Sequence, residues 1–209
     1  MKRIITTILA ASMMFIGTTA FAQVSVGAGY INSTAKATHG STVLKTPSNG
    51  FYAGLGYDIN EGAGFGINTG LYFSYLISQN SGSIGKLVNG TSKLAETYLD
   101  VPVRASLSAD MGGLRLGVFA GPVFSCGISS TTDSSANIVG VEIGTGKIDN
   151  YADNSGYKRF DILVGGGVNV DFGPLRFTVS YDLGMLNRYD SEDIKTTRNT
   201  LRAGLAFLF

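Results

Sequence analysis

Apolar residues in this chain recur at every second position, segment after segment, and two is the strand period. Between residues 159 and 172, Phe160, Ile162, Val164, Val168, Val170 and Phe172 share one face. Arg159, Asp161, Gly165, Gly167, Asn169 and Asp171 share the other. The next segment repeats the pattern, with Leu175, Phe177, Val179, Tyr181 and Leu183 opposite Arg176, Thr178, Ser180 and Asp182. Beyond Phe21 no apolar run is long enough to cross a bilayer as a helix. A chain patterned this way folds into antiparallel strands with one apolar and one polar face.

Extended along the chain, the alternation predicts eight strands, at about 24–32, 50–60, 64–76, 93–108, 113–127, 157–172, 175–187 and 196–209. Glu61-Gly62-Ala63, Asp110-Met111-Gly112 and Gly173-Pro174 read as tight turns. The Ser/Thr/Asn/Gly-rich segments 33–49, 77–92, 128–156 and 188–195 read as long loops. Gly113-Leu114-Arg115-Leu116 echoes Pro174-Leu175-Arg176-Phe177, each placing an arginine just after a turn. The expected fold is all-β: an eight-stranded antiparallel up-and-down β-barrel, transmembrane if its apolar face points outward.

Three features point outward. Arg104, Arg115, Arg159, Arg176, Arg198 and Arg202 lie on the polar strand faces, whereas Lys36, Lys45, Lys86, Lys93, Lys147, Lys158 and Lys195 fall in loops or at strand ends. Arginines on the same faces as Asp58, Asp100, Asp161, Asp171 and Asp182 describe a confined network, because a guanidinium pairs two carboxylate oxygens at once. Gly27, Gly29, Gly54, Gly56, Gly66, Gly70, Gly117 and Gly165 crowd those faces, as a narrow lumen requires. Aromatic residues gather near the strand ends, with Tyr57, Phe65, Phe172, Phe177, Phe207 and Phe209 towards one boundary. Tyr30, Phe51, Tyr75, Phe124 and Phe160 lie towards the other. A soluble lipocalin-like barrel would show the same alternation turned inside out. Pro102 and Pro122 interrupt strands four and five, so a bulge or weakened pairing is expected there.

The ends of the chain fit the same picture. Lys2 and Arg3, an apolar stretch from Ile4 to Phe21 and the small-residue exit Ala20-Phe21-Ala22 describe a secretory signal peptide over 1–22, followed by a barrel domain over 23–209. The signal removes two basic and no acidic groups from a formal net charge of +1, so no basic surplus remains and no nucleic-acid partner is expected. Cys126 is the one cysteine, which excludes an internal disulfide; it reads as a small apolar residue. Leu201, Ala203, Leu205, Phe207 and Phe209 share one strand face, and a strand ending on an aromatic residue resembles the closing strand of a bacterial outer-membrane barrel.

Tyr98-Leu99-Asp100-Val101-Pro102-Val103 resembles the Tyr-Leu-acidic-aliphatic-Pro-aliphatic strand of the PorT-type outer-membrane β-barrel proteins of Gram-negative bacteria. Ala120-Gly121-Pro122, Phe160-Asp161 with Gly165-Gly166-Gly167, and Tyr181-Asp182-Leu183-Gly184-Met185-Leu186-Asn187 resemble later segments of that family, in order. The resemblance implies an OmpA-like eight-stranded barrel in the cell outer membrane. It implies no single activity, since fold does not carry function.

Catalytic chemistry is sparsely represented. His39 is the one histidine, with Ser33 and Ser41 nearby, and in a Ser/Thr/Gly-rich segment it reads as a solvated residue. Asp149-Asn150-Tyr151-Ala152-Asp153-Asn154-Ser155-Gly156 resembles a calcium loop in composition but departs from EF-hand spacing. Gly27-Ala28-Gly29 and Gly165-Gly166-Gly167 open no helix and read as barrel packing, not phosphate cradles. The expectation is therefore a structural or interaction barrel without catalytic residues, metal or cofactor and with its lumen closed to bulk solutes. Its expected partners are outer-membrane lipid and an envelope protein met by the outer loops. The alternatives are a component of a secretion or transport apparatus, a narrow pore, a lipid-modifying enzyme or the soluble binding barrel.

Overall fold

A computed structural model describes residues 22–59, 64–84, 88–138, 141–152, 155–189 and 194–209. The strands are β1 (Ala22–His39), β2 (Thr42–Ile59), β3 (Phe65–Ile84), β4 (Val88–Asp110), β5 (Leu114–Ile138), β6 (Val141–Asp149), β7 (Phe160–Phe172), β8 (Leu175–Gly184) and β9 (Ile194–Leu208). Hydrogen-bonded neighbours run β4-β3-β2-β1-β9-β8-β7-β5, and β4 pairs β5, so eight antiparallel strands form a closed ring. β6 stands outside the ring and pairs the outer half of β5. The seam between the first and last ring strands matches Val26 to Phe207 and Tyr30 to Ala203, and the Phe209 amide donates to the Val24 carbonyl at 2.8 Å.

The ring has the expected strand number, but its strands outrun their expected ends. Segment 33–49 is a hairpin in which β1 and β2 pair as far as His39 and Thr42, leaving a two-residue turn where Gly40 takes a left-handed φ of 59°. Pairing of β3 with β4 reaches Ile84 and Val88, and pairing of β5 with β6 fills much of 128–149. Alternation stops in these segments because water meets both faces above a membrane, whereas the backbone ladder needs no apolar side chain to continue. The expected Glu61-Gly62-Ala63 turn and the signal segment 1–21 lie outside the described residues.

Above the ring the strands divide into two walls. β2 pairs β3 only from Asn49 upward in number, and Pro47, with no N–H to offer, lies just beyond that limit. One wall is thus β9-β1-β2; the other is β3-β4-β5-β6. Between them β8 ends at Gly184 and β7 begins at Phe160, leaving a lower rim.

The apolar face points outward. Phe160, Val164, Val168 and Phe172 are exposed, as are Leu175, Phe177, Val179 and Leu183. Phe65, Phe172, Phe177, Phe207 and Phe209 are exposed at the turn end, and Tyr30, Phe51, Phe124 and Phe160 at the other, giving the two aromatic belts of a membrane barrel. The polar faces line the interior: Asp58, Asp100, Arg104, Asp161, Asp171, Arg176, Asp182, Arg198 and Arg202 are all buried.

The prolines loosen the sheet where expected. The β3–β4 ladder skips from Thr69–Val103 to Tyr72–Asp100, and the β4–β5 ladder skips from Pro102–Val123 to Ala105–Ala120. Thr69 partly compensates, its hydroxyl donating to the Pro102 carbonyl at 2.9 Å. The register shift in β5 falls higher, where Tyr98 faces Gly127 and Thr97 faces Ser129.

Candidate functional site

Period two places Glu96, Tyr98, Asp100, Pro102, Arg104 and Ser106 of β4 on the lumen side, and this strand supplies residues to two of three charged layers. In the middle layer Arg202 of β9 bridges two strands, donating to Asp182 Oδ2 of β8 at 2.9 Å and to Asp100 Oδ2 of β4 at 2.8 Å. Arg104 Nη2 reaches both oxygens of Asp182 at 2.8 and 2.9 Å, with its guanidinium over the Phe119 ring. Asp100 also accepts from Ser74 at 2.7 Å and Ser125 at 2.5 Å. Asp100 and Asp182 are 1% and 0% exposed, so these ions depend on one another and not on water.

The layer nearer the short turns centres on Arg176. It grips Asp171 through two parallel bonds, Nε to Oδ1 at 2.7 Å and Nη2 to Oδ2 at 2.8 Å, and turns Nη1 to Asp58. Asn68 donates to the other Asp58 oxygen at 2.6 Å. The outer layer joins Arg198, Tyr98, Glu96, Arg188 and Asp161. The Tyr98 hydroxyl donates to Glu96 at 2.6 Å and accepts from Arg188 at 2.5 Å, and the Arg198 guanidinium lies 3.8 Å from the Tyr98 ring centre. Arg198 Nε is 3.7 Å from Asp161, a looser pairing than the others.

Between the charged layers Ile31, Tyr52, Leu76 and Tyr98 form a buried cluster. Tyr52 fits because two glycines face it: a Cβ on Gly29 would lie 2.8 Å from its ring, and one on Gly204 would lie 2.3 Å from its hydroxyl. A cavity of about 110 Å³ remains among Tyr52, Tyr72, Arg104, Arg176 and Arg202, room for a few water molecules.

Beyond the outer ends of β7 and β8 their flanking segments stay side by side. Tyr157 pairs Tyr189 across a β-bridge, their rings 5.1 Å apart. Burial raises the Tyr157 hydroxyl above the usual phenol value, with the Arg188 charge opposing the shift, so the group stays neutral at physiological pH. Asn187 accepts the Thr196 amide at 2.8 Å and Arg188 donates its own to the Thr196 carbonyl at 2.8 Å, covering the outer edge of β9.

The interior gathers Arg104, Arg176, Arg198 and Arg202 with all five expected aspartates, while Arg159 and Arg115 lie outside the buried layers, Arg115 still on the polar face of β5. Arg159, half-buried, donates to the Ile128 carbonyl at 3.0 Å and covers the Tyr151 ring, because β7 begins only at Phe160. Arg115 pairs the exposed Asp110 at 2.8 Å beside the turn. Arg188 and Glu96 were not expected in the network. Glu96 was legible as the residue two before Tyr98 on the same face; Arg188 was not, since it lies just past the expected strand 175–187 and beyond the end of β8 at Gly184.

His39 is exposed at the β1–β2 tip near the exposed Ser41. Ser33, six residues down β1, is buried and donates to the Asn199 carbonyl at 3.3 Å. His39 and Ser33 are therefore about 20 Å apart along the strand and form no nucleophile–base pair. Asp149 accepts the Tyr151 amide at 2.9 Å and the Asn150 side chain donates to Ser130 and Thr132, so both hold a local turn. Asp153 and Asn154 lie outside the described residues. Cys126 is half-buried between the outward-facing Phe124 and Ile128.

A family model described as an outer membrane protein beta-barrel domain matches residues 16–189. No curated protein matches the chain. Among solved structures, Ail of Yersinia pestis in complex with the heparin analogue sucrose octasulfate is 11% identical. That match has a TM-score of 0.45 and covers 90% of this chain and 99% of that one. Neisserial surface protein A is 15% identical with a TM-score of 0.41, over 89% and 97% of the two chains. OprG of Pseudomonas aeruginosa is 11% identical with a TM-score of 0.39, over 92% and 98%. Likenesses this distant carry no functional argument.

Proposed function

The chain belongs to the outer membrane protein beta-barrel domain family, and from that premise we propose that it is a structural or interaction barrel of the outer membrane. Its lumen is closed to bulk solutes, and its two outer walls meet a partner at the cell envelope. The observation that carries the closed lumen is the Arg202 guanidinium, which ties β4 to β8 through Asp100 and Asp182 across the interior of the barrel. A solute would have to separate those ions, and an ion pair this desolvated costs several kcal/mol to break. An eight-stranded ring leaves an interior just wide enough for its side chains.

The reading also assigns no catalysis: Ser33 is buried far from His39, and beside the exposed Ser41 no hydrogen bond among the described residues fixes the His39 imidazole. The outer walls are the partner surface because they are long, polar and clear of the lipid-facing belt. The Tyr98–Val103 segment supports placement in the PorT-type subgroup, since Tyr98 and Asp100 are both lumen-network residues. A secretion role does not follow from that placement. Single-channel recording on the refolded barrel tests the closed lumen: no stable large conductance is expected, and a well-resolved one would replace this reading with that of a pore. For the enzyme class, altered outer-membrane lipid in a deletion strain, restored by wild type and not by His39→Ala, would overturn the assignment.

A further inference from the structure

We propose that the outward face of the β9-β1-β2 wall binds the phosphorylated headgroup of an outer-leaflet lipid through Lys36, Lys45 and Lys195. Lys36 of β1 stands directly opposite Lys45 of β2. Lys195 of β9 stands opposite Thr38, one step along the same face of β1. Like charges directly across an antiparallel pair repel, with Cβ atoms about 5 Å apart, so this arrangement calls for an anion. Among the described residues the wall supplies none. β1 and β9 contain no acidic residue, and Asp58, the one acid of β2, lies buried at the opposite end. Lys45 and Lys195 are exposed and Lys36 is half-buried.

The three side chains point to the lipid side, not the lumen. They continue the faces that carry Val26 and Tyr30 on β1, Phe51 and Leu55 on β2, and Leu201 and Leu205 on β9, all exposed. Tyr30 marks the outer aromatic belt, and its hydroxyl donates to Asn49 at 2.5 Å, as does the Asn32 amide at 2.7 Å, forming a polar row just above. Lys36 is six residues beyond Tyr30, about 20 Å along the strand and roughly 15 Å along the membrane normal at a tilt of about 40°. A lysine stem extended back towards the bilayer brings its ammonium group into the headgroup layer. The other wall is different: Lys93 and Lys147 flank Asp133 in one row across β4, β5 and β6, so a carboxylate separates its two lysines within the sheet.

The test titrates the refolded full chain in a neutral detergent with bisphosphorylated lipid A, with the same lipid stripped of phosphate, and with inorganic phosphate, counting bound lipid by native mass spectrometry. Wild type should bind the phosphorylated lipid at least about tenfold more tightly than the stripped one, a modest demand on three lysines near an anionic surface. The triple substitution Lys36→Gln, Lys45→Gln, Lys195→Gln should abolish that preference. The triple Lys→Arg variant should keep it, as should Lys93→Gln with Lys147→Gln. Unchanged preference in the Gln variant would overturn the proposal, and is the result expected if Asp190, Glu192 and Asp193, which precede Lys195 in sequence, neutralise the cluster. Displacement of the lipid by equimolar inorganic phosphate would overturn its assignment to a lipid. Heat-modifiable gel mobility establishes that each variant is folded, and if the Gln variant is not, loss of the preference in Lys36→Gln alone decides the question.

Discussion

Asp182 is the residue on which most of the interior charge converges. It is fully buried and accepts from both Arg104 and Arg202. Arg202 keeps Asp100 if Asp182 is lost, but among the described residues Arg104 has no other carboxylate within pairing distance. Asp182→Ala therefore leaves a desolvated guanidinium unpaired, which typically costs about 3–5 kcal/mol. Asp171→Ala should cost less, because Arg176 retains Asp58. Lys147→Ala, on an exposed wall, should stay within about 0.5 kcal/mol of wild type. Urea unfolding of the refolded barrel reads all three, and near-equal midpoints would mean that water reaches the interior charges.

At the scale of elements, β5 is the longest strand at 25 residues, and it changes partner midway from β7 to β6. Because β6 pairs β5 and no other strand of the ring, excising the hairpin tip between Ser135 and Gly146 should leave a barrel that still shows heat-modifiable mobility. Loss of that behaviour would make β6 part of the folding unit. The proline-interrupted ladders lead to a second expectation. Amides of Leu71, Val103 and Arg104, beside the gaps, should exchange with solvent faster than those of Leu116 to Phe119, whose pairing with β4 and β7 is continuous. Uniform protection across the two groups, measured in detergent micelles by NMR, would show that the gaps are closed by other hydrogen bonds.

For the whole molecule, closure is what makes the parts stable together. β9 supplies the seam to β1, the Arg198 and Arg202 side chains of two charged layers, and the Gly204 recess that admits Tyr52. A chain ending at Thr200 should therefore yield no heat-modifiable folded species, since β1 and β8 would each present an open edge to lipid, where unpaired backbone groups cost several kcal/mol apiece. A compact folded form of that truncation would show that the ring closes without its last strand.

How much of this was legible before folding depends on what each feature needs. The eight ring strands, their outward apolar face and the burial of Asp100, Asp161, Asp171 and Asp182 follow from a period-two pattern, because a strand turns each side chain by a fixed half-turn relative to its neighbour. The weak place at Pro102 and Pro122 follows from a missing N–H, a property of the residue alone. The outer hairpins were not legible, because a ladder in water leaves no hydrophobic signature on either face. Nor were the partners within the lumen: Arg202 reaches Asp100 across 102 positions of sequence, and Arg188 reaches Glu96 across 92. Composition and alternation thus determined which face of each ring strand turns inward and that its residues would need opposite charges. Ring closure and register decided which arginine meets which carboxylate, and placed Lys195 on one outward face with Lys36 and Lys45.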